Sequence, residues 1–134
     1  MKEEKVLNDK RMTFDDIIKA KRQRENDKLT VKPVVIPSVG KELIFRRPKD
    51  EQMLEFMDAI QKDSSNTAMI DEYAKILYLS CDELQNPDLH KELDVVDPFD
   101  TIKAFMDAND ILRVGDAVCN MNSLYKGLEN EVKN

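Results

Sequence analysis

The sequence predicts an α+β fold that is mostly α-helical, with a two-stranded antiparallel β-hairpin followed by a bundle of about four to five helices. From residue 49 onward, apolar residues recur at the three- and four-residue spacings of amphipathic helices. Residues 31 to 47 instead form two β-prone runs with prolines at their ends. At 134 residues and 41% hydrophobic content, the chain can build one modest core but not two.

The expected organisation is therefore one domain between two polar ends. Residues 1–12 are dense in charge and have few apolar anchors, so we expect a frayed N-terminus. Residues 13–128 form the predicted domain, and residues 129–134 form a flexible C-terminal tail. No internal repeat is present in the sequence.

The predicted domain opens with a short helix. Thr13 precedes Asp16 by three residues, an acidic variant of the helix N-capping arrangement, and a helix from Phe14 to Arg24 fits the pattern that follows. Its basic end, KAKRQR, complements the negative C-terminal end of a helix dipole. The alternative is a contact for nucleic acid or an acidic partner, although no aromatic residues are interleaved with these charges.

The β-prone stretch predicts a hairpin. Val31–Pro37 forms the first run, and its prolines suit an edge strand. Gly40 can adopt the positive φ of a turn, and Leu43–Phe45 forms the second run. Two strands alone are marginal in water, so the hairpin is expected to pack on helices or to recruit another strand.

Two amphipathic helices are predicted next. The first spans Lys49–Lys62, with Pro48 suited to its first position. Thr67 is the expected cap of the second, which is the most apolar helix and the predicted centre of the core. Its apolar residues include Met69, Ile70, Tyr73, Ala74, Ile76 and Leu77.

Prolines and polar breaks divide the rest of the chain. A short helical turn is expected at Asp88–Leu93, and Asp97 is expected to cap a helix that begins at Pro98. The segment Ala108–Asp110 is predicted to break or bend that helix. The last apolar pattern comprises Ile111, Leu112, Val114, Val118, Cys119, Met121, Leu124, Tyr125 and Leu128.

Charge and hydropathy restrict the class of protein. The net charge of −6 disfavours nonspecific binding to nucleic acid or to anionic membranes. No apolar run approaches the 18 or more residues of a membrane-spanning helix, and the start of the chain lacks the pattern of a secretory signal. We therefore expect a cytoplasmic protein with no membrane partner.

No convincing catalytic or cofactor-binding set is present. His90 is the only histidine, and its sequence neighbours include no serine or cysteine that could form a dyad with it. A distant Cys81 or Cys119 is the alternative partner, but both lie in apolar helical patterns and are expected to be small buried side chains. Neither zinc spacing nor a phosphate-binding glycine loop is present, and Asp107–Asp110 lacks the features of a calcium loop. We predict no enzyme, no metal and no cofactor.

Short motifs follow one another in a characteristic order. They are LYLSC at Leu77–Cys81, then Leu84, Pro87 and Leu89, then DPFD at Asp97–Asp100 and LRVGDAV at Leu112–Val118, preceded by ELIFRRPKDEQMLEF at Glu42–Phe56. This order resembles the XkdN-like tail assembly chaperones of prophages and phage-derived contractile particles. The resemblance covers Thr13 to Leu128, and the basic, polar linker Gln23–Leu29 is a departure from it.

The resemblance implies a non-enzymatic role in phage tail assembly in the bacterial host cytoplasm. Such chaperones bind the long helical tape measure protein, keep it soluble and help tail tube protein polymerise around it, and they are absent from the mature particle. Many copies per client imply weak contacts and self-association. The family often makes a longer frameshifted form, and the codons of the C-terminal Val132–Asn134 could contain a slippery heptamer.

The client-binding residues are expected at the C-terminal end. Met121, Leu124, Tyr125 and Leu128 continue an apolar stripe beyond what a core of this size requires. The alternative is that these four residues simply close the core. A competing function is a small helical regulatory protein that binds nucleic acid or another protein through its N-terminal basic helix.

Overall fold

A computed structural model describes residues 10–126 of the chain. The α-helices are α1 (Phe14–Lys28), α2 (Asp50–Lys62), α3 (Asn66–Leu79), α4 (Pro87–Glu92), α5 (Thr101–Phe105) and α6 (Ala108–Cys119). Strands β1 (Val31–Ile36) and β2 (Lys41–Arg46) form the hairpin, and 3-10 helices span Asp82–Gln85 and Pro98–Asp100. The predicted α+β class is confirmed: an N-terminal helix precedes a two-stranded antiparallel hairpin, which about five helices follow.

Two compact units divide the chain between Thr30 and Val31. Between residues 10 and 126, the helices are all too short or too polar to cross a membrane. The segment predicted as a flexible tail, residues 129–134, lies outside the described residues, as does most of the predicted frayed segment 1–12.

The first unit contains α1. Its start is the predicted capping arrangement, because the Thr13 hydroxyl accepts from the Asp16 N–H while the Asp16 carboxylate accepts from the Thr13 N–H. The helix continues to Lys28, four residues beyond the predicted end. The segment Gln23–Leu29, which the sequence predicts to be a linker, is helical as far as Lys28. Side-chain pairs at helical spacing stabilise it, such as the hydrogen bond of 2.9 Å from the Gln23 amide to Asp27.

The hairpin opens the second unit. Its register pairs Val31 with Arg46 and Ile36 with Lys41. Residues 37–40 form the turn, and Gly40 has the predicted positive φ, at +75°. One face of the hairpin packs on the core through Ile36 and Phe45, which is the first of the two predicted alternatives.

Helix α3 lies at the centre of the core, as predicted. It buries Tyr73, Ala74, Ile76 and Leu77, and it packs against both α2 and α6. Its cap is Ser65 rather than Thr67, because the Ser65 hydroxyl accepts from the Ala68 N–H at 3.2 Å. The core members are Ile36, Phe45, Met53, Phe56, Tyr73, Ala74, Ile76, Leu77, Cys81, Leu84, Ile102, Met106, Ile111, Val114, Val118, Cys119 and Tyr125.

Two other predicted boundaries move by a residue or two. Helix α2 begins at Asp50 rather than at Lys49, which is its N-cap, so Pro48 lies outside the helix and not at its first position. The break predicted at Ala108–Asp110 falls at Met106 and Asp107, and Ala108 already begins α6. The Asp107 carboxylate accepts from the Asp110 N–H and the Asp110 carboxylate from the Asp107 N–H, so the carboxylates of this segment form a helix cap.

Asn122 anchors the chain after α6 to the start of α2. Its buried side-chain amide donates to the Pro48 carbonyl and to an Asp50 carboxylate oxygen, each at 3.0 Å. The Asn122 side-chain oxygen accepts from the Leu124 N–H at 2.9 Å. A buried amide whose nitrogen and oxygen both have partners fixes the direction in which the chain leaves α6.

Candidate functional site

The predicted client-binding residues at the C-terminal end lie in different environments. Tyr125 is only 5% exposed and belongs to the core. Met121 and Leu124 are half-buried, and Leu124 packs against that core. Leu128 lies outside the described residues. A partner-binding role for this group stays a prediction, and Tyr125 has the placement of a residue that closes the core.

Tyr125 is the middle member of a chain of two hydrogen bonds. Its hydroxyl donates to an Asp116 carboxylate oxygen at 2.6 Å, so the Tyr73 hydroxyl, 2.5 Å away, donates to Tyr125. The Phe56 ring lies against both tyrosines, with centroid separations of 5.2 and 6.1 Å. Burial, together with the bond to Asp116, raises the pKa of Tyr125 far above its ordinary value. This network joins α2, α3 and α6. The two tyrosine hydroxyls and the Asp116 carboxylate have structural partners, so their positions need no catalytic role to account for them.

His90 also has structural partners. Its Nε2 donates to the Leu84 carbonyl at 2.8 Å, because a carbonyl oxygen can only accept. The ring lies against Tyr78, with centroids 5.8 Å apart, and Tyr78 in turn meets Phe99 edge to face at 5.2 Å. The imidazole therefore ties α4 and the preceding 3-10 helix to the end of α3, and its Nε2 is occupied.

The cysteines have the buried placement that the sequence predicts. Cys81 and Cys119 are both buried thiols that form no disulfide. Burial raises the pKa of Cys81, which keeps it in the neutral, unreactive thiol form. Among the described residues, no three histidine, cysteine or carboxylate side chains lie close enough together to hold a metal ion.

The solvent face of the hairpin is an exposed apolar surface. Alternation along the strands brings Val31, Pro33 and Val35 of β1 to the same side as Ile44 of β2, and Pro33 lies directly opposite Ile44. Val31, Val35 and Ile44 are 56%, 48% and 50% exposed. We call these four residues the hairpin patch. The sequence contains a signal for this patch, because β1 has apolar residues on both faces and only one face can pack on the core.

One face of α1 combines apolar and basic side chains. Phe14, Ile17, Lys21, Arg24 and Lys28 recur at intervals of three and four residues and therefore share one side of the helix. No residue of α1 is buried, and Phe14 is 78% exposed. We call these five residues the basic face. The motif KAKRQR contains two of its cations, Lys21 and Arg24, while Lys28 joins the face because the helix runs beyond its predicted end.

An acidic groove lies in the second unit, between α2, α3 and the segment around α5. Its volume is about 480 Å³. Ala59, Ala68 and Phe99 give it apolar walls. Its charged lining comprises Asp63, Asp71, Glu72, Asp97, Asp100, Lys75 and Lys103. We call this feature the acidic groove; no sequence motif predicts it, because its residues come from segments that only the fold brings together.

Both lysines of the groove are paired with carboxylates that also line it. Lys75 contacts Glu72 at 3.2 Å, and Lys103 contacts Asp71. Two of the other three acids accept from neutral backbone donors: Asp63 accepts from the Ser65 N–H and Asp97 from the Phe99 N–H. The groove therefore keeps a negative charge.

Similarity to characterised proteins gives no independent assignment. Comparisons with protein-family models, with curated proteins and with solved structures found no match.

Proposed function

We propose that this chain is a non-enzymatic phage tail assembly chaperone. In this role it binds the tape measure protein in the bacterial host cytoplasm and keeps that long helical protein soluble. It then promotes polymerisation of tail tube protein around the tape measure protein, and it does not remain in the mature particle. The observation that carries the proposal is the ordered set of motif residues from Leu77 to Val118.

The exposed apolar area of the hairpin patch also supports the proposal. A tape measure protein presents apolar helical faces before the tube encloses it, and such faces need a cover that is itself soluble. Val31, Pro33, Val35 and Ile44 offer apolar contact area on a surface anchored by the buried face of the same hairpin. A net charge of −6 would add solubility to each complex.

The position of the hairpin strengthens this choice of surface. Arg46 makes two contacts: its backbone N–H donates to the Ser80 carbonyl at 2.7 Å, and its guanidinium contacts the Asp82 carboxylate at 2.9 Å. These bonds tie the end of β2 to the end of α3. The patch is therefore displayed on a supported element rather than on a loop, which lowers the ordering cost of binding.

A matched pair of variants tests whether the patch binds the client. Ile44→Lys places a charge in the patch, while Leu54→Lys places the same charge on α2, at a residue that is 49% exposed compared with 50% for Ile44. In a binding assay with a purified tape measure fragment, Ile44→Lys should weaken binding by about tenfold and Leu54→Lys by less than about twofold. Equal binding by both variants and the wild type would exclude the patch, and no binding by wild type would contradict the proposed function.

The second candidate function is nucleic-acid binding, which the basic face of α1 favours. Lys21, Arg24 and Lys28 lie on one side of the helix, where they could follow a phosphate backbone. This function requires binding to DNA or RNA that weakens steeply as salt rises. No binding at low salt would eliminate it.

A further inference from the structure

We propose that this chain associates with itself head to tail, the basic face of α1 from one copy lying in the acidic groove of a second copy. The proposal concerns contacts between separate molecules and does not depend on the identity of any client. It rests on the match between two surfaces that the sequence does not relate to each other.

The helix supplies the positive partner. Its basic face begins with Phe14 and Ile17 and continues with Lys21, Arg24 and Lys28 toward the C-terminal end. One acid, Glu25, lies at the edge of this face and contacts Lys21 at 3.6 Å, while Asp27 accepts a hydrogen bond from Gln23. The three cations of the face outnumber this one carboxylate, so the face keeps a positive charge. The surface offered to a partner is therefore basic and partly apolar, although the helix as a whole carries charges of both signs.

The groove supplies the negative partner. Five carboxylates and two lysines line it, and both lysines are paired within it. Phe99 and the alanines Ala59 and Ala68 give it an apolar wall. Each surface combines apolar residues with charges of one sign. Phe14 and Ile17 can therefore contact the apolar wall of the groove while the cations of α1 contact its carboxylates.

Helix α1 and the acidic groove both leave surface exposed that a partner can cover. A single exposed 15-residue helix is marginal in water unless a partner covers one face, and α1 has no buried residue. The acidic groove is an open concavity with a fixed wall of three helical segments. Binding α1 from another copy would cover exposed apolar surface on both partners.

The expected assembly is heterologous. Each copy has one basic face, on its first unit, and one acidic groove, on its second unit, so the same contact can repeat from copy to copy and form short chains. Because exposed ion pairs are individually weak and screened by salt, each contact should be reversible and salt-dependent. Such an assembly would allow many copies to line up along an extended partner.

Two charge-reversed variants test the contact. The groove variant, Asp71→Lys with Asp100→Lys, should weaken self-association measured by sedimentation equilibrium by about tenfold or more in low salt. The helix variant, Lys21→Glu with Lys28→Glu, should weaken it by a similar factor. Combining all four substitutions in one chain reverses both surfaces and should restore association.

Each variant has a matched control. Lys19→Glu with Arg22→Glu makes the same charge change on the side of α1 away from the basic face. Glu55→Lys with Glu92→Lys makes the groove variant's charge change at exposed acids that do not line the groove. Both controls should associate within about twofold of wild type. Circular dichroism of every variant checks that helix content is unchanged.

Mixing the variants separates contact between copies from any other source of salt dependence. The groove variant retains a native α1 and the helix variant retains a native groove, so an equimolar mixture should form a one-to-one complex that grows no further. Wild type that is monomeric at roughly 0.02 M salt would overturn the proposal. Controls that lose association as fully as the test variants, or a mixture that forms no complex, would overturn it too.

Discussion

Ser38, in the turn of the hairpin, is held by Asp110, in the first turn of α6. The Ser38 N–H donates to one Asp110 carboxylate oxygen at 3.0 Å, and the Ser38 hydroxyl donates to the other. Asp110 is buried, and one of its oxygens also accepts from the Asp107 N–H. A single carboxylate thus caps α6 and fixes the hairpin against it across 72 residues of sequence.

This clamp predicts a dependence of stability on pH. The bonds from Ser38, with those from Asp107, lower the pKa of Asp110 below its ordinary value, so the folded state favours the charged form. The stabilisation is complete above the unfolded pKa of about 3.9 and is lost as pH falls toward the lower folded pKa. Asp110→Asn should therefore be less stable than wild type at pH 7, and the difference should shrink below about pH 4. Chemical denaturation at several pH values measures this, with the exposed Asp58→Asn as the control. A difference that is constant with pH would contradict the assignment.

The buried tyrosine network gives the second prediction. Tyr125→Phe removes the hydroxyl that bonds to the Asp116 carboxylate and should lower the free energy of unfolding by about 1.5–3 kcal/mol. Tyr78→Phe is the control, because its hydroxyl is 3.4 Å from the nearest nitrogen of His90 and should cost less than about 1 kcal/mol. A loss no larger than that of the control would contradict the network.

Ionisation of the same tyrosine provides an independent measurement. The raised pKa of Tyr125 means that the folded state favours the neutral phenol, so this contribution is present below the unfolded pKa of about 10 and is lost as pH rises above it. An alkaline absorbance titration should show Tyr125 ionising only when the protein unfolds. A tyrosine signal at about pH 10 in folded Tyr78→Phe that disappears on adding Tyr125→Phe would contradict this.

Gly115 gives the fourth prediction, in which two effects oppose each other. Glycine to alanine within a helix gains about 1 kcal/mol of helix propensity. A Cβ at Gly115, however, would lie 2.5 Å from the Tyr73 ring, which is buried and hydrogen-bonded to Tyr125. Overpacking of this kind costs about 1–3 kcal/mol, so Gly115→Ala should be net destabilising in thermal or chemical unfolding. Gly115→Ala combined with Tyr73→Ala should lose that penalty, and a stabilising Gly115→Ala alone would show that the ring moves aside.

Local signals predicted most of the fold. The spacing of Met53 and Phe56, the positive φ of Gly40 and the capping pair at Thr13 and Asp16 each depend on residues close in sequence, and each is confirmed. Boundaries were less accurate where two candidate caps lie close together. Ser65 and Thr67 can both cap a helix, and α3 uses Ser65.

The features missed by the sequence are those that depend on residues far apart. The Ser38–Asp110 clamp spans 72 residues, and the acidic groove takes its lining from α2, α3 and the segment around α5. The periodicity of one segment cannot predict a contact between residues that are far apart in the sequence. Likewise, Leu54 fits the apolar pattern of α2 yet is 49% exposed, because the packing direction of the helix was not known from its own sequence.

The most direct test of the proposed function is the solubility of the tape measure protein in the presence of this chain. The full-length tape measure protein should be expressed alone and together with an excess of the wild-type chain, and its soluble fraction measured after centrifugation. The proposed function predicts that most of the tape measure protein is insoluble alone and becomes soluble and co-purifies with the chain. A soluble fraction that does not change, although the chain itself is folded and abundant, would contradict the proposed function.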